Sequence, residues 1–386
     1  MGNVSLKANE PLPRIFWPYA QEFHEQVGVK TAARLIEIAG MGERQFRFPI
    51  NLGNGAYVNL EHLAAMRDLA RTLHFEAWYA AMEDRPEDAL VAIRAMVPLA
   101  ESLREEPLLI SQLVHIAVHG ILTATVQDAL NRTNFSDEQL REFQELLSTV
   151  LPPLEEHSMI RQGFLGERVF NLDTTDLIGQ QYEDYLGEYW TVRFDTFSLP
   201  MRLTALEMYR QLEVTPGMVE LPMIEELEGS YNPAFLVAKM LLPGLANARE
   251  AEYRCRTTYD TAVAACAVER YRLANGSLPP SLDALVPAYL DAVPTDPFRL
   301  DGGPVSYCTE PDGGYVLYSW ARNRKDDGGI PWDREKEKGS DWSNGDWIFS
   351  VAPLSFRNGP QFTDVPPEKE EVGPAPTTTE GRRGVR

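Results

Sequence analysis

The sequence contains little cysteine, which excludes a fold held together by disulfides. Only Cys255, Cys266 and Cys308 occur in 386 residues, too few for a disulfide scaffold. Cys255 and Cys266 lie eleven residues apart on one predicted helix, which separates them by about 16 Å along its axis. They cannot pair within one straight helix, although Cys308 could meet either of them. We favour three buried free thiols that pack as small apolar side chains.

Positive charge and long apolar runs are also scarce. The chain has 36 Lys and Arg against 57 Asp and Glu, a net charge of −21. This balance argues against a protein that coats nucleic acid and against a basic membrane-surface module.

No segment reaches the roughly 18 consecutive apolar residues of a transmembrane helix, so we predict no membrane span. The first twenty residues, interrupted by Pro11, Pro13 and Pro18, show no targeting signal. We therefore expect a cytoplasmic protein, or a chain whose export segment is missing.

Recognisable catalytic motifs are absent from the sequence as well. It has no GxSxG nucleophile elbow, no Walker A loop and no dinucleotide fingerprint. The one histidine pair with metal-ligand spacing is His115 and His119, four residues apart and therefore on one helix face. Ile116 stands where a zincin protease needs its glutamate, so a protease of the zincin type is excluded. We expect both rings to be packed and hydrogen-bonded, with metal binding as the alternative.

Apolar residues at helical spacing run from about residue 28 to 270 and predict a mainly α protein. After an irregular N-terminal segment, 1–27, we predict a helical domain over 28–231. It is either an irregular helical bundle or a short helical-repeat array, since 73–82 and 86–103 resemble one tetratricopeptide-like hairpin. Pro86 suits the first turn of a helix, and Ser136 with Gln139 three residues later suits an N-cap. The stretch 164–235 is dense in aromatic and acidic residues, which indicates either a ligand groove or ordinary core.

The pattern changes in the last third of the chain. A long helix is predicted from 232 to 274, and Asn275-Gly276 ends it. Period-two segments then predict three antiparallel strands, with a hairpin turn at 311–314. The fold class is thus mainly α with a C-terminal α+β module, 232–357, followed by a disordered tail, 358–386. We expect one stripe of this helix to pack on the sheet, formed by Cys255, Tyr259, Ala262 and Cys266. The sheet face that packs on this stripe is either of two. One carries Val305, Tyr307, Val316 and Tyr318, and the opposite one carries Leu317.

The C-terminal module resembles the C-terminal domain of the type II secretion major pseudopilin. The resemblance covers about a quarter of the chain and rests on residues that occur in the family's order. They are Asn275, Gly276, Pro279, Ser281, Leu282, Val293, Pro294, Asp296, Pro297, Phe298, Tyr318, Ser319 and 326–329. The chain lacks that family's hydrophobic N-terminal helix. As a whole it resembles uncharacterised planctomycete-type proteins, in which a helical domain precedes this module. That resemblance implies a periplasmic or otherwise extracytoplasmic bacterial protein, with a cytoplasmic one as the alternative.

The loop 322–345 is a candidate calcium site. It is longer than a compact domain normally leaves unstructured, and calcium prefers six to eight oxygen ligands. In the major pseudopilin the equivalent loop binds calcium, and the positions that match its oxygen-bearing residues are Asn323, Asp326, Asp327 and Asp346. The resemblance implies that the carbonyl of Trp320 completes this set. The alternative is a solvated loop built on an Asp-Gly-Gly turn.

These features favour a non-enzymatic scaffold or binding protein with a protein or peptide partner. Its helical domain would bind the partner, and its C-terminal module would be a pseudopilin-like unit that binds calcium. One alternative is an adaptor of a type II secretion or pilus-like system. The other is an enzyme or metal-binding protein with its site in the helical domain.

Overall fold

A computed structural model gives the fold and describes residues 11–40, 50, 59–150, 158–163, 166, 236–331, 345–358 and 362–364. The predicted fold class is confirmed, since helices dominate and a three-stranded antiparallel sheet lies near the C-terminus. The helices are α1 (Trp17–Phe23), α2 (Val29–Gly40), α3 (Glu61–Met82), α4 (Pro86–Glu101), α5 (Leu109–Arg132), α6 (Asp137–Val150), α7 (Leu236–Asn275) and α8 (Leu354–Arg357). The strands are β1 (Leu12–Pro13), β2 (Ser306–Thr309), β3 (Tyr315–Ser319), β4 (Trp347–Val351) and β5 (Phe362–Thr363). Shorter 3₁₀ turns occur at Arg14–Phe16 and Leu282–Leu285.

The helices α3 and α4 form an antiparallel hairpin against which α5 packs. Pro86 occupies the first turn of α4 as predicted, where its missing N–H costs no helical hydrogen bond. Small residues such as Ala77, Ala81 and Ala89 are fully or almost fully buried between these helices, which lets the backbones approach closely. The predicted cap of α6 is also confirmed. Ser136 Oγ accepts from the N–H of Gln139 at 3.2 Å, and Gln139 Oε1 accepts from the N–H of Ser136 at 3.0 Å.

Helix α5 is buried along most of its length. Among the described residues it is the one helix long and apolar enough to cross a membrane by length and composition. The core helix of a globular protein meets the same two criteria, and α5 packs against α3, α4, α7 and β4. The described part of the chain therefore contains no clear membrane span.

The 40-residue helix α7 packs on α5 and α6 and also on β3 and β4. The sheet order is β2-β3-β4, and Leu317 lies opposite Tyr307 on one side and Phe349 on the other. Tyr315 shares their face and donates from its hydroxyl to the carbonyl of Ala265 in α7 at 3.2 Å. The face carrying Leu317 is thus the one that packs on the helix.

Two details of the predicted helix–sheet contact are wrong. Tyr307 belongs to the Leu317 face, because the antiparallel register places it directly opposite Leu317 rather than beside Val316. Tyr259 reaches α5, where its hydroxyl lies 2.6 Å from His119 Nδ1. The helix is wrapped on several sides, so a single apolar stripe could not identify which partner each residue meets.

Side chains of α5 also bind the sheet directly. Gln127 and Asn131 each donate to the carbonyl of Ser350 in β4, at 3.1 and 3.0 Å, and Asn131 Oδ1 accepts from the N–H of Ala352. In addition, one continuous apolar core extends from the helical hairpin through α7 to the sheet. All three cysteines carry free thiols, with Cys255 and Cys266 buried as predicted and Cys308 only partly buried.

The two ends of the described chain lie side by side. Leu12 and Pro13 pair in parallel with Phe362 and Thr363, and the ring of Trp17 lies 5.0 Å from that of Phe362. Trp17 begins helix α1, a helical turn at His24–Gly28 follows, and α2 starts at Val29. This helical run differs from the irregular N-terminal segment that we predicted, because Pro18 lies in the first turn of α1, where proline is tolerated. Phe362 and Thr363 likewise form a strand within the tail predicted to be disordered.

Candidate functional site

The loop after β3 brings the four predicted calcium ligands into one region. Asn323 Nδ2 donates to Asp327 Oδ2 at 2.6 Å, and the N–H of Gly345 donates to the same oxygen at 2.8 Å. The N–H of Gly329 donates to Asp346 Oδ2, also at 2.8 Å. The start of the loop, 323–329, is therefore tied to its end, 345–346. Of the predicted loop, residues 332–344 lie outside the described residues.

Asp326 forms the outer part of this cluster. Its Oδ1 accepts from the hydroxyl of Tyr318 at 3.0 Å and from the N–H of Gly328 at 2.9 Å. Gly328 and Gly329 have φ values of 73° and 76°, a left-handed conformation that favours glycine. The two glycines let the chain turn sharply enough for Asp326 and Asp346 to belong to one cluster.

Asp346 is the most unusual residue of the cluster. It is 1% exposed, and its Oδ1 is buried without a hydrogen-bond partner. The net pKa of Asp346 is raised to about 6, chiefly by burial; the backbone N–H groups of Gly329 and Asp327 lower it, and the negative charges of Asp327 and Asp326 raise it. A buried carboxylate oxygen with no donor is costly, and a bound cation would remove that cost.

The loop also carries positive charge, and part of it is directed elsewhere. Arg322 Nε lies 3.4 Å from Glu250 Oε2 on α7. The charge of Arg322 is therefore shared with the long helix.

The predicted histidine pair lies in the helical bundle, far along the chain from the loop. His115 and His119 are 1% and 0% exposed, and their Nε2 atoms are 2.8 Å apart. Burial lowers the pKa of His119 to about 3, and the charges of Arg104 and Arg256 act in the same direction. The expectation of packed, hydrogen-bonded rings is confirmed.

Sequence reasoning missed the groups around these rings. Glu101, Gln112 and Tyr259 all lie near the pair, and Tyr259 comes from a helix 140 residues further along the chain. Among the described residues, one group of three metal-ligating side chains brings an atom of each within 4.8 Å of the others. That group is Glu101, His115 and His119, rather than the loop carboxylates. Of these neighbours, only Gln112, one turn before His115, could have been identified from local spacing in the sequence.

Comparisons with known proteins give no identification: no protein family, no curated protein and no solved structure matches the chain.

The aromatic and acidic stretch considered as a ligand groove, 164–235, lies outside the described residues except for residue 166.

Proposed function

We propose that the chain is a non-enzymatic bacterial scaffold or binding protein whose pseudopilin-like C-terminal module binds calcium. The observation that carries the proposal is Asp346, a buried carboxylate with one unpartnered oxygen beside two further aspartates. Calcium accepts carboxylate, amide and backbone oxygens, and Asn323, Asp327 and Asp346 offer these in one tied loop. The packing of α7 on a three-stranded antiparallel sheet supports the pseudopilin resemblance.

An extracytoplasmic location belongs to the same proposal. Calcium sites of extracellular modules work at dissociation constants of about 10⁻⁴ to 10⁻³ M. Here Asn323 is neutral and Arg322 lies in the same loop, so we expect an affinity in this weak range. Such a site is filled only where calcium is abundant.

Calcium should raise the thermal unfolding midpoint of the full chain relative to chelator. Mass action gives about 1.4 kcal/mol at ten times the dissociation constant. Asp346→Asn should abolish the rise. Without calcium the same variant should be at least as stable as the parent at pH 7.5, because it removes a buried charge that Asp326 and Asp327 repel. Thermal unfolding and titration calorimetry would measure both effects.

Asp312→Asn provides the matched control for this test. Asp312, like Asp327 of the loop, belongs to an Asp-Gly-Gly turn. It accepts from the N–H of Gly314 at 2.9 Å, but it lies in the β2–β3 hairpin. We expect this variant to keep the full response to calcium. Identical midpoints of the parent chain with calcium and with chelator would contradict the proposal.

The proposed protein or peptide partner has a candidate surface on the N-terminal helical run. Four large apolar side chains are exposed there: Ile15, Tyr19, Val27 and Val29. Contiguous exposed apolar side chains are typical of interaction sites, and Ile15 and Tyr19 lie about one helical turn apart. Tyr19 is 57% exposed, so its replacement should leave the fold intact.

A photo-crosslinker placed at residue 15 in producing cells should give a discrete adduct that Tyr19→Glu removes. The thermal midpoint of this variant should stay unchanged, since the side chain is largely in solvent. Leu300→Glu removes an 80% exposed apolar side chain elsewhere and should leave the adduct in place. An adduct pattern unaffected by Tyr19→Glu would exclude this surface.

A further inference from the structure

A second cluster of ligating side chains lies where α4, α5 and α7 meet. Glu101 is the last residue of α4, while His115 and His119 lie one turn apart on α5. One carboxylate oxygen and one nitrogen of each ring all lie within 4.8 Å of one another. Both rings are almost completely buried. The three side chains thus bring their ligating atoms together inside the bundle.

The ring of His115 is held so that its Nε2 offers a lone pair. Its Nδ1 lies 3.1 Å from Gln112 Oε1. The Gln112 amide is fixed because its Nε2 donates to the carbonyls of Leu103 and Glu106 at 3.0 and 2.6 Å. An amide oxygen only accepts, so His115 Nδ1 carries the proton and its Nε2 faces His119.

The ring of His119 can be arranged in two ways. If Tyr259 donates to His119 Nδ1, then His119 Nε2–H donates to His115 Nε2, and the two rings form one directed hydrogen-bond chain. If Tyr259 instead accepts from Nδ1–H, both Nε2 atoms present lone pairs to the same point. The second arrangement is that of metal-bound histidines, whose other ring nitrogen donates to a neighbouring group.

Glu101 distinguishes these two arrangements. Its Oε1 is a buried atom without a hydrogen-bond partner, and its Oε2 lies 2.8 Å from Arg104 Nε. The hydrogen-bond chain satisfies both histidines but leaves Oε1 with nothing to bind. One oxygen of this carboxylate lies within 4.8 Å of a nitrogen of each ring, so a cation between the rings would bind the carboxylate and both lone pairs together.

We propose that Glu101, His115 and His119 bind a divalent transition-metal ion of the zinc type, with a fourth coordination position left open. Two imidazoles and one carboxylate suit zinc, whereas the all-oxygen loop suits calcium. Zinc–nitrogen bonds of about 2.0–2.1 Å in a tetrahedron separate two nitrogens by about 3.4 Å. The Nε2 atoms need to move apart by roughly half an ångström from their 2.8 Å separation. Tyr259 and Gln112 are positioning residues that orient the rings.

The test uses the full chain freed of metal by a chelator and titrated with Co²⁺ and, separately, Zn²⁺. We expect one equivalent of Co²⁺ to give the visible absorption of a four-coordinate nitrogen–oxygen site, and one equivalent of Zn²⁺ to displace it. Glu101→Gln and His119→Gln should each abolish that stoichiometric binding. Tyr259→Phe should weaken zinc affinity about 10- to 100-fold, the effect typical of a lost outer-shell partner.

His74→Gln is the matched control, because it removes another bundle histidine. The Nδ1 of His74 lies 2.8 Å from Thr125 Oγ1, away from the cluster, so zinc binding should persist in this variant. Asp346→Asn should also keep it, which separates this site from the calcium loop. Circular dichroism of the metal-free variants establishes that each is folded.

X-ray absorption of the zinc-loaded parent chain needs no variant. We expect two imidazole nitrogens and at least one oxygen around the metal. Sulfur in that shell would place the ion on a cysteine such as Cys255 and overturn the proposal. Absence of stoichiometric binding, or binding unchanged by Glu101→Gln, would overturn it equally.

Discussion

Replacing Glu269 with glutamine should destabilise the protein by about 3–5 kcal/mol, the usual cost of removing one partner from a buried ion pair. Glu269 in α7 is 5% exposed and accepts from both terminal nitrogens of Arg357 in α8, at 2.8 and 3.0 Å. Arg272, one turn along α7, donates to the same carboxylate. The substitution would leave two buried guanidinium groups without their counter-charge. Urea unfolding at pH 7 measures the loss.

The pH dependence gives this prediction a second readout. Burial raises the pKa of Glu269, but the charges and hydrogen bonds of Arg357 and Arg272 outweigh it, so the net pKa lies below the ordinary 4.5. A lowered carboxylate pKa stabilises the fold fully above the unfolded-state value, and the contribution is lost as the pH falls through the native value. The difference between parent and Glu269→Gln should therefore shrink below about pH 4.5.

An exposed ion pair supplies the control for Glu269→Gln. Arg34 Nη1 and Glu37 Oε2 are 2.6 Å apart, but their side chains are 63% and 55% exposed. Glu37→Gln should change stability by less than about 1 kcal/mol, since solvent screens such pairs. Equal effects of the two substitutions would show that the α7–α8 pair does not anchor the C-terminal segment.

Ala262→Asp should be similarly damaging and is expected to cost several kcal/mol. Ala262 is 0% exposed in α7, within the core shared by the bundle and the sheet. An aspartate there has neither room nor a partner for its charge. Thermal unfolding of the purified variant checks the result, and a failure to fold at 37 °C is within the expected range.

Ala274→Asp is the matched control on the same helix. Ala274 is exposed near the C-terminus of α7, where an added negative charge opposes the helix dipole by only about 0.3–1 kcal/mol. If Ala262→Asp melts no lower than Ala274→Asp, then α7 is not the shared wall of the two parts of the fold.

Local features of the chain could be predicted because they depend on neighbouring residues. The capping box at Ser136 joins residues three apart, and the hairpin turn before Tyr315 needs only Asp-Gly-Gly, with Gly313 at a φ of 93°. Period-two alternation identified all three strands of the antiparallel sheet. The four loop residues were grouped through the pseudopilin resemblance; the structure ties Asn323 to Asp327 and Asp346 to Gly329, and calcium binding by them stays a prediction.

Features that join distant segments could not be predicted. The contact between Tyr259 and His119 spans 140 residues, and the position of Glu101 beside the histidines depends on how α4 meets α5. The ion pair of Glu269 with Arg357 spans 88 residues. Each depends on helix packing angles that no single pattern encodes. In the sequence, the cluster of Glu101, His115 and His119 was therefore visible only as two histidines four residues apart.

The pairing of Leu12–Pro13 with Phe362–Thr363 has a consequence for the order in which the fold assembles. Two residue pairs are too few to hold a loop of about 350 residues closed, because loop-closure entropy grows with the logarithm of loop length while so short a ladder contributes little. The bundle and the sheet must already have brought these segments together. The ladder therefore forms late in folding. The contacts of Trp17 with Phe362 and of Arg14 with Asp364 add to it once the packed core has brought the two ends together.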